Sequence, residues 1–373
     1  MGTVAEKLEY LTETKQLIAD AVNAKGGDIT PATPFREYAD QINGLSGGTE
    51  KETLYGFTLG NFLPVPDSSG HVSGVVPFEG EVLDFSEIKS VASSVFNSAF
   101  ANKPVMFTNV KKLDLSNLVS VGSSGFSEAF KNSLGRTGTP VVVDLSNLES
   151  VKAGAFNNCF GYCNVQIIGL DKLTTLDPST CFSDWLTGSS GTKEVYLTGL
   201  TEVPSNGLNS FLYACKTIEY VDVGNVVKAG TSSFHWFLGG AGTDTSYNGI
   251  RGVNLGKLEV VEGSTCFVNF FGTSGRTDPV WEDFVFPSLR KITGTNNFEQ
   301  FRVSASNYIK RYFFPALTEI GDVKAFVNLE TTKAFSVNVQ EIHFRADMQS
   351  VIEGLVGYGN KWGATNAQII FDL

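Results

Sequence analysis

Three histidines and five cysteines are the side chains of this 373-residue chain best suited to acid–base, nucleophilic or metal chemistry. Their spacing assembles none of it. His71, His235 and His343 stand in unrelated contexts, and the chain holds no HExxH helix, nucleophile elbow or phosphate-binding glycine loop. Cys159 and Cys163 are four residues apart, but no His or further Cys stands at ligand spacing to complete a metal site. Cys181 and Cys266 each precede a phenylalanine and Cys159 lies between two, which predicts buried, free thiols. The carboxylates Asp84, Asp114 and Asp144 are spaced by 30 residues, so periodicity explains them better than catalysis. The expectation is a non-enzyme with no cofactor and no metal.

That periodicity comes from a repeat. Leu113–Phe130 (LDLSNLVSVGSSGFSEAF) has close copies at Leu83–Phe100 and Val143–Phe160. Looser copies start at Ile168, Val195, Val221, Val253, Phe284, Tyr312 and Ile342, at intervals of 30, 30, 25, 27, 26, 32, 31, 28 and 30. A period near thirty sustained this long predicts one repeat solenoid. Leu113 and Leu115 alternate with polar residues, as in a half-buried strand. Leu118 and Val121 suit a tight bend. Phe126 and Phe130, four apart, suit one face of a short helical turn. Stacking the copies would align Phe96, Phe126, Phe156, Phe182, Phe234, Phe267, Phe298 and Phe326 in one buried column.

Two surfaces follow from this geometry. Longer spacers after the second aromatic (131–140, 187–193, 239–249, 272–283 and 303–311) leave at one phase and should crowd one edge. The other surface is the outward ladder of the strands: Asp84, Asp114, Asp144, Gly169, Tyr196, Asp222, Asn254, Val285, Phe313, His343. Its first three members are stacked like charges that need water or a cation between them. Its later part, with Tyr196, Asn254, Val285, Phe313 and His343, is the candidate contact surface, since Val285 and Phe313 place apolar groups where the face should be wet.

At these residues the chain resembles leucine-rich repeats of the BspA-like kind, with L-x-L-x-x-L-x-x-I followed by an A-F-x-x-C segment. Ala153–Phe160 (AGAFNNCF) is the closest local match. The resemblance covers roughly 83 to 344 and implies a leucine-rich-repeat-like solenoid of parallel strands and short helical turns. It implies little about function, because adhesins and phage structural proteins both use such repeats.

Residues 1–46 precede the repeat as a small helical region. Val4, Leu8, Leu11, Ile18 and Val22 fall on heptad positions interrupted by Lys15, and Gly26-Gly27 ends the helix. Phe35, Tyr38 and Ile42 mark a second helix. Two readings stand: a helical hairpin, or a coiled coil that oligomerises the protein through that seam. The leader EKLEYLTETKQLIADAVNAKGG with PFREYADQI resembles the opening of many phage virion structural proteins. The ending, from His343 (HFRADMQ) to NKWGATNA, is similar to that of phage proteins carrying these repeats. These resemblances imply a virion protein assembled in the bacterial cytoplasm, contacting other virion proteins through residues 1–46.

The expected organisation is a helical region at 1–46, a linker and β cap at 47–82, the solenoid at 83–345 and a C-terminal cap at 346–373. A net charge of −11 argues against nucleic acid and anionic membranes as partners. No apolar run is long enough to span a bilayer, and no secretory signal opens the chain. The functional expectation is a phage fibre or surface-decoration subunit, a homo-oligomer with a trimer favoured, presenting its repeat surface to host-cell glycan or protein. A bacterial surface adhesin and a glycan-processing tail enzyme are the alternatives.

Overall fold

The computed structural model describes residues 81–136, 138–240, 250–271, 282–299, 309–321, 340–356 and 368–373, with short pieces at 12–34, 53–58, 78–80, 301 and 323–326. The chain divides into two compact units, Met1–Asn61 and Phe62–Leu373. In the first, Asn23, a helical residue, donates its amide to the Ile29 carbonyl (2.7 Å), and its side-chain oxygen accepts from the Ile29 N–H (2.6 Å). Ala19 and Ile29 are buried together with Ile18 packed on them. Val4, Leu8, Leu11 and Val22, the rest of the expected seam, lie outside the described residues, as do Phe35, Tyr38, Ile42 and the linker. Thr53–Leu54 and Phe57–Thr58 pair antiparallel.

The second unit is a parallel β-solenoid. Its first face carries β1 (Val82–Asp84), β2 (Lys112–Asp114), β3 (Val141–Asp144), β4 (Asn164–Ile168), β5 (Glu194–Tyr196), β6 (Tyr220–Asp222), β7 (Gly252–Asn254), β8 (Asp283–Val285), β9 (Arg311–Phe314), β10 (Glu341–Phe344) and β11 (Gln368–Phe371). The register places Leu83, Leu113, Val143 and Ile167 side by side. The fourth copy therefore starts at Ile167, not at Ile168 as the sequence pattern suggested. Ile168, and not Gly169, stands on the outward ladder. Gly169 has turned away with φ +80°, and a Cβ there would meet the Ser146 backbone at 2.4 Å.

Each copy then bends and forms a second, two-residue strand. Leu118 sits in the bend, its N–H donating to the Leu115 carbonyl (2.9 Å), while Val121 lies on the strand Ser120–Val121. These short strands pair from Ser90–Val91 to Thr175–Leu176 and again from Glu202–Val203 to Glu319–Ile320.

The aromatic segment is not the expected helical turn. Every fourth residue has positive φ, as at Ser124 (55°), Glu128 (52°) and Asn132 (55°), so an α-helix cannot form. Alternate N–H groups close tight turns (Ser127 to Ser124, Ala129 to Phe126). The intervening ones cross to the next copy (Phe126 to Ala155, Glu128 to Asn157, Phe130 to Cys159). The result is a turn ribbon with its own ladder between copies. A four-residue period brings Phe126 and Phe130 to one side just as a helix would, and for that reason apolar spacing alone misassigned it.

Inside, Phe96, Phe126, Phe156 and Phe182 stack at 5.0, 5.5 and 5.3 Å between centroids. Leu208 fills the next place, bonding on to Ser233, and Phe234, Phe267, Phe298 and Phe326 continue the stack. Each buried ring is worth about 1.5–3 kcal/mol against exposure. A second column changes phase midway. Phe100, Phe130 and Phe160 form it first, with small Ala129 and Cys159 beside them. From the next turn Trp185, Phe211, Phe237, Phe270 and Phe301 take the slot one residue earlier. Beyond β10 a 3-10 turn (Ala346–Met348) buries Met348 and a helix, α1 (Gln349–Val356), buries Ile352, and β11 pairs parallel with β10.

Candidate ligand groove and sheet face

The phase change coincides with an interruption of both strand faces. Ser190 and Gly191 pair with Asn164 and Val165, yet the residue that takes the inward place of Ile167 is Val195. Two residues lead from 165 to 167 and four from 191 to 195, so Thr192-Lys193 is a two-residue insertion. An even insertion lifts β5 off β4 without reversing which side chains point inward. Among the described residues no pairing joins β4 to β5. The Thr192 hydroxyl stands in for the lost strand, donating to the Val165 carbonyl (2.7 Å) and accepting from the Ile167 N–H (3.2 Å).

On the second face the cause is Pro204. At this phase Gly122, Lys152, Asp177 and Gly230 each donate an N–H to the preceding copy. Proline has none, and among the described residues Thr175–Leu176 and Glu202–Val203 do not pair with each other.

The interruption leaves a groove of about 860 Å³ between β4 and β5. Ile167, Leu170 and Val195 give it an apolar lining; Gln166, Asp171 and Thr198 add polar side chains. The Glu219 and Leu197 N–H groups bond to the Lys193 carbonyl and toward Asp222 of β6, so odd residues here face β6. By alternation the backbone groups of Glu194 and Tyr196 face the groove, where no strand meets them among the described residues. Buried Glu219 accepts from Arg251 (2.9 Å) with Lys193 at 3.7 Å, and Arg251 also reaches Glu194 (3.3 Å). Tyr196, 44% exposed, donates its hydroxyl to Glu194 (2.7 Å), which raises the phenol's pKa, and its ring lies 5.9 Å from Tyr220.

The rest of the candidate surface lies apart from the groove. Asn254 is tied into the structure, its amide donating to Asp222 (3.0 Å) and its oxygen accepting from the Gly256 N–H (2.9 Å). Val285, Phe313 and His343 lie side by side in register on β8, β9 and β10. Val285 is exposed, Phe313 half-buried and His343 only 7% exposed. The His343 nitrogens bond to Asp372 (2.8 Å) and Glu341 (2.9 Å), leaving neither free for proton transfer. Burial opposes its charge, but these two carboxylates outweigh burial and raise its pKa.

The aspartate ladder holds its own cation. Lys112 Nζ lies 2.8 Å from Asp114 and 3.5 Å from Asp144. Burial acts to raise the Asp114 carboxyl, but hydrogen bonds from Lys112 and Ser116 win and lower it. Each aspartate also accepts an N–H two residues on (Ser86, Ser116, Ser146), closing the strand end. The five thiols are free and buried. Burial pushes Cys181, Cys215 and Cys266 up to about 12 and raises Cys159 and Cys163. Much of the expected loop edge (241–249, 272–281 and 302–308) and His71 lie outside the described residues.

Sequence reading placed Tyr196 at a binding surface but missed the groove. The visible signals were Pro204 at a donor position and the extra Thr192-Lys193. No family model, no curated protein and no solved structure matches this chain.

Proposed function

We propose that this chain is a non-enzymatic phage virion protein, a fibre or surface-decoration subunit, that presents its solenoid to a ligand on the host surface. The observation that carries the reading is the pair of virion-type segments at opposite ends of one repeat array: the leader through residue 42 and the ending from His343. The solenoid suits presentation because three hydrogen-bonded ladders tie most copies to the next, giving a rigid scaffold with surface positions set by register. In this reading the repeats are of the BspA-like leucine-rich kind. Residues 1–46 grip other virion proteins, oligomerise the chain, or both. His343 is committed to two carboxylates and the cysteines to the core.

The experiment is mass spectrometry of particles purified by density gradient from an induced host culture. Peptides of this chain should band with the particles at a fixed ratio to the capsid protein. A chain abundant in the lysate but missing from intact particles would overturn the reading.

A further inference from the structure

We infer that the groove between β4 and β5 binds a neutral oligosaccharide. This rests on the proposed role in surface binding and names the ligand class of one site.

The groove is part of the fold's construction. An even insertion preserves the core, the Thr192 hydroxyl repairs the two backbone groups that would otherwise be stranded, and Pro204 releases the opposite face. The opening, at about 860 Å³, falls within the roughly 300–1,000 Å³ typical of ligand pockets.

Its chemistry selects the ligand. The backbone groups of Glu194 and Tyr196 offer donors and acceptors a few ångströms apart, and Gln166 adds an amide and Asp171 a carboxylate. A sugar hydroxyl donates and accepts at once, so a polyol satisfies such a mixed lining where a purely accepting anion does not. Charge points the same way. Lys193 and Arg251 are already neutralised by Glu219 and Glu194, so an anionic ligand would have to pull them from a buried carboxylate. The Tyr196 ring, held by its bond to Glu194, gives the C–H face of a pyranose an aromatic surface at the rim.

The test uses the full chain on an array of uncharged hexose and N-acetylhexosamine di- to tetrasaccharides, with sialylated and sulfated counterparts, and in parallel on intact host cells. Tyr196→Ala and Gln166→Ala alter exposed side chains and should leave the circular dichroism spectrum unchanged. Binding to neutral sugars that falls at least tenfold in both variants is the expected result. Neutral binding that both variants retain places the site elsewhere, and preference for charged glycans refutes the ligand class; either overturns this inference and leaves the broader role intact. Adhesion to cells with no array binding also defeats the saccharide assignment alone. Binding to neither cells nor array defeats both.

Discussion

The imidazole of His343 lies flat on Phe313, centroids 4.4 Å apart and planes 17° apart, with a carboxylate on each nitrogen. Both N–H bonds can exist together only when the ring is protonated. One partner, Asp372, follows β11, so the ring's charge fastens the last strand to β10.

The pH dependence follows from the raised pKa. A raised folded value means that this contribution is full below the unfolded histidine value of about 6.5 and is lost as pH rises through the folded pKa. We expect amide exchange in β11, corrected for intrinsic rate, to be several-fold less protected at pH 9 than at pH 6. His343→Gln should abolish that difference. Equal protection at both pH values in the parent chain would refute the clasp.

Lys112 should stabilise chiefly by separating Asp114 from Asp144. For a pair this exposed, Lys112→Met should cost about 0.5–1 kcal/mol, less at high salt. Adding Asp144→Asn should recover most of the loss, because Asn254 beside Asp222 already shows the uncharged solution one sheet along. Denaturant titration of the three variants measures it; a double variant weaker than the single would contradict the argument.

How much of this was readable beforehand depends on which interaction set the structure. Strand positions such as Leu113 and Leu115 were legible because alternation has only one solution when one face is buried. The ribbon was not, since a helix and a ribbon of period four give Phe126 and Phe130 the same spacing. The discriminating signal was polar: small or polar residues recur at the positive-φ sites Ser94, Ser98 and Asn102. At Ile167-Ile168 two adjacent isoleucines made both phases plausible, and only pairing with Val143 and Asp144 decides. The groove was hidden because its cause, the extra Thr192-Lys193, reads as ordinary variation in spacer length, and Pro204 marks only the opposite face.

Cys163 occupies a ladder position that Ser133 and Ser189 fill in neighbouring copies. Each side chain donates to a phenylalanine carbonyl one copy back: Ser133 to Phe100, Cys163 to Phe130 and Ser189 to Phe160. Cys163→Ser should therefore be nearly neutral. Cys163→Val removes that bond, leaving the Phe130 carbonyl only the Ser133 N–H, and should cost about 0.5–1.5 kcal/mol. Thermal unfolding of both variants gives the comparison, and equal losses would show that packing alone governs the site.

Phe156 stacks between Phe126 and Phe182, so its loss should be felt one copy away on each side. Phe156→Ala should cost about 3–5 kcal/mol, with faster amide exchange in residues 113–130 and 167–182 and little change beyond Phe298. Exchange mapped by mass spectrometry reads this directly. Uniform acceleration along the whole solenoid would mean that it unfolds as one block rather than copy by copy.

Oligomeric state tests the leader. A weak surface site gains avidity when several copies are presented together, and the heptad at Val4, Leu8, Leu11, Ile18 and Val22 suits that purpose. Against it, Ile18 already packs on Ala19 and Ile29 within its own chain, which suits a self-contained hairpin. We expect the full chain to form a trimer by light scattering at tens of micromolar and a chain starting at Glu50 to be monomeric. If both are monomers, the apolar positions serve the hairpin and the leader only docks. If the shortened chain still associates, Val285 is the residue to probe first, because it stays 46% exposed beside Phe313 on the face where subunits would meet.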